Sequence, residues 1–296
     1  MQAGSFARLS STQIYAVDSS GGGIPTVLVH GLGASHTSWL DVFDALSGRG
    51  RVISVDLPGH GFSPPIARHD LGSLRDVMID LLEHLAVPVR LIGNSMGGLV
   101  SEMLASQRPD LVTDLVLITP ASPAPLGTRP PRPAVAARLA AQSVPGLGRL
   151  VMNLYRRASS PEERVDALLS LVCADPRSVS ESTRTASLEM TRRRDSMPWA
   201  VRALNESTES IRRMYLRRSS FKQMVAAIEA DALVLSGSKD VLVPPAAIDA
   251  LRHLRPDWTF NDRVDLGHAP QLEDPNWVLA EIDSWVSRSD EKARAT

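Results

Sequence analysis

The chain has almost no cysteine and no long apolar run. Cys173 is its single thiol, so no intrachain disulfide can form, and no His/Cys cluster has the spacing of a zinc site. No stretch approaches the roughly 18 consecutive apolar residues of a membrane-spanning helix. The first 23 residues are polar and interrupted and carry no secretory core, which by default reads as a cytoplasmic protein. Charge of one sign is also lacking: a formal net charge of -1 argues against bulk nucleic-acid binding. Lysine is nearly absent, so the basic residues are overwhelmingly arginine.

What is present is an ordinary globular composition, 43% hydrophobic and 22% charged over 296 residues, enough for a sizeable core. The chain is organised around Val89-Arg90-Leu91-Ile92-Gly93-Asn94-Ser95-Met96-Gly97-Gly98. A short β-branched run meets a Gly-Asn-Ser-Met-Gly turn, and the apolar spacing that follows is helical. A strand, a sharp turn and a helix with a serine at the apex force that serine into sparsely populated backbone angles. The two backbones then pass so close that the positions on either side must be glycine, as Gly93 and Gly97 are. The turn lifts the Ser95 hydroxyl clear of the sheet and aims the unpaired first amides of the helix at any oxyanion formed there. A glycine-rich turn with an incidental serine would read the same over five residues, so the remaining chain must discriminate.

Residues 6–17 alternate loosely, as an opening pair of strands. Thr26-Val27-Leu28-Val29 reads as a buried strand running into His30-Gly31-Leu32-Gly33, a loop whose Leu32 amide could serve the same oxyanion; His30 itself reads as structural. Residues 51–56 form the next strand, and Asp56 and His60 beyond it read as loop-shaping rather than catalytic. An amphipathic helix over 73–86, with Ser73 as N-cap, precedes the serine strand; a further strand at 115–118 follows its helix. This alternation implies a mostly parallel sheet with helices on both faces.

At Pro120 the character changes. Six prolines between 120 and 133 make a stiff connector, and 134–222 reads as helical with breaks near Pro145, Pro161, Pro176 and Pro198. The division expected is a core of 1–120 and 229–296 with a helical cap, or lid, over 121–228. Residues 121–222 carry a net +9, leaving about -10 elsewhere. That asymmetry reads as solvated helices in an arginine-biased sequence, or as an attraction for acidic substrates or an anionic membrane face. Met190, Met197, Trp199, Met214, Tyr215 and Met224 are candidates for an apolar pocket or for helix packing.

After the insertion, Leu233-Val234-Leu235 leads to Asp240, and a strand over 258–265 leads to His268. Both would lie at the carboxyl edge of the sheet, in the order serine, acid, histidine. A serine hydroxyl needs an adjacent base, and an imidazole oriented by a carboxylate supplies one.

His30-Gly31-Leu32-Gly33, the run from Asp56 to Ser63, Gly93-Asn94-Ser95-Met96-Gly97-Gly98, Gly237-Ser238-Lys239-Asp240 and Gly267-His268 together resemble the α/β-hydrolase superfamily. The resemblance spans nearly the whole chain except the insertion, which sits where that family carries a variable helical cap. It implies an α/β-hydrolase fold, Ser95 as nucleophile, Asp240 as acid, His268 as base, and the Leu32 and Met96 amides as oxyanion hole, with no metal or organic cofactor. The expected partner is a small apolar ester or ketone, with no nucleic acid and no integral membrane segment; a homodimer is left open. A serine at the elbow speaks against the haloalkane dehalogenase and epoxide hydrolase branches. The elbow is also similar to that of carbon–carbon hydrolases acting on ring-cleavage products, but Ala269 stands where those usually have an aromatic residue. A carboxylic-ester hydrolase is therefore expected first, a carbon–carbon hydrolase second, and a non-catalytic binding protein of the same fold as the alternative of another class.

Overall fold

A computed structural model describes residues 4–128 and 147–295. Eight strands form one sheet in the order β1-β2-β4-β3-β5-β6-β7-β8. β1 (Ser5–Arg8) and β2 (Gln13–Asp18) are antiparallel to each other, and β2 is antiparallel to β4 (Val52–Asp56). From β4 onward through β3 (Thr26–Val29), β5 (Val89–Asn94), β6 (Val112–Ile118), β7 (Asp231–Gly237) and β8 (Thr259–Arg263) every pairing is parallel.

The central strands are continuous apolar runs because both faces are covered. Successive side chains point to opposite faces, so Val27 and Val29 join one core cluster while Leu28 joins the other, and Val234 separates Leu233 and Leu235 in the same way. On the first face lie α2 (Leu71–Leu85) and α3 (Met96–Gln107), with Leu74, Met78, Leu82, Leu99 and Leu104 fully buried. On the second lies α1 (Leu40–Ser47), which contributes Phe43. Each such side chain gains about 1.5–3 kcal/mol on leaving water, which holds these helices against the sheet.

Local signals set the ends. Helix α2 begins two residues before the expected 73–86 span, because the Asp70 carboxylate, not Ser73, is the cap; it accepts from the Ser73 amide at 3.0 Å. Ala86 closes that helix in a left-handed conformation with φ 57°. Strand β6 starts three residues earlier than expected, straight after a 3-10 turn at Pro109–Leu111.

From 147 to β7 the chain is mainly helical: α4 (Leu147–Ala158), α5 (Pro161–Val172), α6 (Glu181–Asp195), α7 (Ala200–Leu216) and α8 (Arg218–Ala226). Pro161 opens α5 and Pro198 separates α6 from α7, as their fixed φ and missing N–H require. The expected break at Pro145-Gly146 and the later prolines of the connector lie outside the described residues. α9 (Pro245–Leu254), the short α10 (Pro270–Glu273) and α11 (Pro275–Ala295) complete the chain, with Val278, Ile282 and Trp285 of α11 packed on the second face. No helix among the described residues is long and apolar enough to cross a membrane.

Candidate active site

Ser95 sits between β5 and α3 with φ 55° and ψ -115°, a conformation that few non-glycine residues adopt. The turn around it is too tight for side chains. A Cβ on Gly93 would come within 2.6 Å of the Gly97 carbonyl oxygen, and one on Gly97 would overlap the Val29 carbonyl of the neighbouring strand. The apex is held by backbone bonds on both sides: the Ser95 amide donates to Ile118 O at 3.0 Å, and the Ala121 amide donates to Ser95 O at 3.0 Å. Met96, whose side chain is fully buried in the core, opens α3, so its N–H belongs to the first turn, which has no helical acceptor.

His268 and Asp240, 28 residues apart, meet at the ends of β8 and β7. The His268 Nδ1–H donates to Asp240 Oδ2 at 2.7 Å, and the two residues are 4% and 3% exposed. Asp240 Oδ1 accepts from the amides of Leu242 and Val243 at 2.7 and 2.9 Å. Both carboxylate oxygens thus have donors, and the bond through Nδ1 leaves the imidazole's Nε2 as its other nitrogen, away from Asp240.

Ser95, His268, Leu32 and Gly31 line one cavity of about 600 Å³, whose walls come mainly from the inserted helices. Asp240 lies behind the imidazole. The glycine loop is pressed against the Ser95 turn, since a Cβ on Gly31 would stand 3.3 Å from the Ser95 Cβ. Of the apolar candidates, Met190 and Tyr215 face the cavity; Met197, Trp199, Met214 and Met224 do not line it.

Asp56 and His30 do hold their loops. Asp56 accepts from the backbone amides of His36 and Phe62 at 2.6 and 2.7 Å and from His36 Nδ1. The His30 Nδ1–H donates to Gly31 O at 2.8 Å, while its Nε2 accepts from the Leu57 amide at 3.0 Å. His60 donates from Nδ1 to Pro58 O, but it also lines the cavity, and its Nε2 has no partner. Burial, with His30 alongside, pushes its pKa down to about 3, so it stays neutral.

Three supporting groups, the first of them the Asn94–Thr119 pair, were not legible as such. The Asn94 side chain donates to Ile118 O and to His268 O, at 3.1 and 3.2 Å, and Thr119, at φ 43°, donates to His268 O at 2.6 Å. The residue just before the serine thereby ties its turn to the histidine loop. Glu273 accepts from the Gly267 amide and from the Ala174 and Asp175 amides, all within 3.1 Å; burial raises its pKa against those three donors. The third group, Arg194, reaches the glycine loop, where its Nη2 donates to Gly33 O at 2.6 Å.

The alpha/beta hydrolase family model matches residues 26–281. The chain belongs to the alpha/beta hydrolase family. Among curated relatives of this hydrolase, a dihydrolipoyllysine-residue acetyltransferase component of the acetoin cleaving system from Pseudomonas putida is 45% identical over 102 residues, 34% of this chain and 28% of that protein. A pimeloyl-[acyl-carrier protein] methyl ester esterase from Chromobacterium violaceum is 36% identical over 102 residues, 34% of this chain and 39% of that protein. The chain thus spans well under half the length of either. Among solved structures, the haloalkane dehalogenase DatA from Agrobacterium tumefaciens superposes with a TM-score of 0.79 at 20% identity, covering 97% of this hydrolase and 96% of that chain, a likeness of fold alone.

Proposed function

We propose that this hydrolase cleaves carboxylic esters of largely apolar substrates through Ser95, His268 and Asp240. The observation that carries the reading is the His268–Asp240 bond of 2.7 Å. It orients an imidazole that lines the same cavity as a serine in a strained turn. In this mechanism His268 Nε2 takes the Ser95 proton as Oγ attacks the ester carbonyl. The Leu32 and Met96 amides stabilise the resulting oxyanion. The imidazolium then protonates the leaving alcohol, and a water deprotonated by His268 hydrolyses the acyl-enzyme and frees the acid. Every proton taken is returned, so no cofactor is needed. Residues 121–228 act as the cap, and the apolar lining they supply supports an apolar substrate body.

The test is turnover of a p-nitrophenyl ester series with fluorophosphonate labelling of Ser95. Ser95→Ala and His268→Ala should each lower kcat by on the order of a thousandfold or more with circular dichroism unchanged. An unlabelled wild type of intact fold would point instead to a binding protein, and turnover of a dienolic ring-fission ketone but of no ester would point to carbon–carbon cleavage.

A further inference from the structure

Four arginines line the cavity, and their pairing differs. Arg156 and Arg164 converge on Asp195, and Arg212 is bidentate to Glu209 with both contacts at 2.8 Å. Arg194 has no carboxylate partner among the described residues; its hydrogen bond is the one from Nη2 to Gly33 O. That leaves four of the five guanidinium N–H donors without a protein acceptor. The cavity wall is predominantly apolar, with Met152, Leu168, Leu204, Ile211 and Val243, and its one carboxylate, Asp195, is taken up by Arg156 and Arg164. Burial pushes the Arg194 pKa down, and the Arg164 and Arg156 charges push the same way against Asp195 and Asp56. A guanidinium nevertheless remains charged, so the cavity holds a cation that has no ion-pair partner among the described residues, whose desolvation an incoming anion would offset.

The position of that cation also bears on the chemistry. Gly33 follows Leu32 directly, and Gly31, two residues back and at most about 7 Å along the chain, touches the Ser95 turn. We infer that Arg194 anchors a carboxylate carried by the substrate, so that the preferred ester is a half-ester of a dicarboxylic acid with an apolar chain between its two ends. A monoanion matches the single unpaired guanidinium in charge, and a carboxylate matches its planar fork. The inference rests on the ester-hydrolase reading above and narrows its substrate class.

The experiment compares 4-nitrophenyl hydrogen adipate with 4-nitrophenyl hexanoate, esters of similar length that differ in the terminal carboxylate. Wild type should favour the adipate about tenfold or more in kcat/KM, and Arg194→Gln should collapse that ratio to about one, chiefly through KM. Arg194→Lys should retain part of it. Equal rates on the two esters in wild type would overturn the inference. So would an Arg194→Gln variant that loses both in the same proportion, because Arg194 would then only pin α6 to the glycine loop. A phosphate-ended analogue preferred over the adipate would overturn the carboxylate assignment. Calorimetry of monomethyl adipate with Ser95→Ala, against the same variant carrying Arg194→Gln, separates the two readings. Affinity that falls about tenfold without Arg194 supports the anchor even if no ester is turned over, and unchanged affinity overturns it.

Discussion

Asp240 accepts three hydrogen bonds, of which one comes from His268 Nδ1, the imidazole proposed above as the base. Asp240→Asn keeps an oxygen for the Leu242 and Val243 amides but turns an NH2 toward Nδ1, which stabilises the wrong imidazole tautomer. Loss of about 10³–10⁴ in kcat with little change in Tm is expected from steady-state kinetics and thermal melts. Glu102, on the helix that follows Ser95, is a second carboxyl of interest. It is fully buried and neither of its oxygens has a partner among the described residues, so burial raises its pKa from 4.5 to about 8. Between those two values the unfolded chain has released this proton and the folded chain still holds it, so Glu102 makes stability fall as pH rises through the window. At about 1.4 kcal/mol per unit this amounts to a few kcal/mol. Glu102→Met should raise the denaturation midpoint at pH 8 much more than at pH 5; equal gains at both would show that Glu102 does not carry the slope.

Strands and helices place these residues through a few very close approaches. Gly97→Ala drives a methyl into the Val29 carbonyl, a backbone atom that cannot swing aside, and should destabilise by more than the roughly 1 kcal/mol typical of a point change or leave the protein insoluble. Gly22→Ala, with open space around its Cβ, is the control. Most of this scaffold could be read from the chain because its cues are local: apolar runs for β3 to β7, glycines at 93 and 97, and a serine–acid–histidine order at strand ends. Cues that depend on distant partners could not. Ser73 and Asp70 are both competent caps, and only the tertiary register chooses Asp70. Asn94 gains its meaning from a carbonyl 174 residues away, and Arg194 is one arginine among many until its lack of an acid partner is visible.

Ion pairs inside the insertion engage many of its acidic residues and leave its net +9 in place. Arg184 pairs with Asp166, Arg192 with Glu162, and Arg212 and Arg213 with Glu209. Exposed pairs of this kind contribute roughly 0–1 kcal/mol each, so raising salt from 0.05 to 0.5 M should shift Tm by no more than a few degrees. A large drop would show that the pairs act as one network. Insertion and core are joined more firmly elsewhere, at the last turn of α5. There Val172 O accepts from the amides of His268 and Ala269 at 2.7 and 3.0 Å, and Val165, Leu169 and Cys173 pack with Ala269 and Leu272. This corner pins the insertion to the His268 loop: under the mechanism proposed above, lifting it would drag that imidazole out of line, so we expect reactants to pass at another margin of the insertion. Grafting a foreign set of helices here would then alter the rate constant of the chemical step along with the choice of substrate.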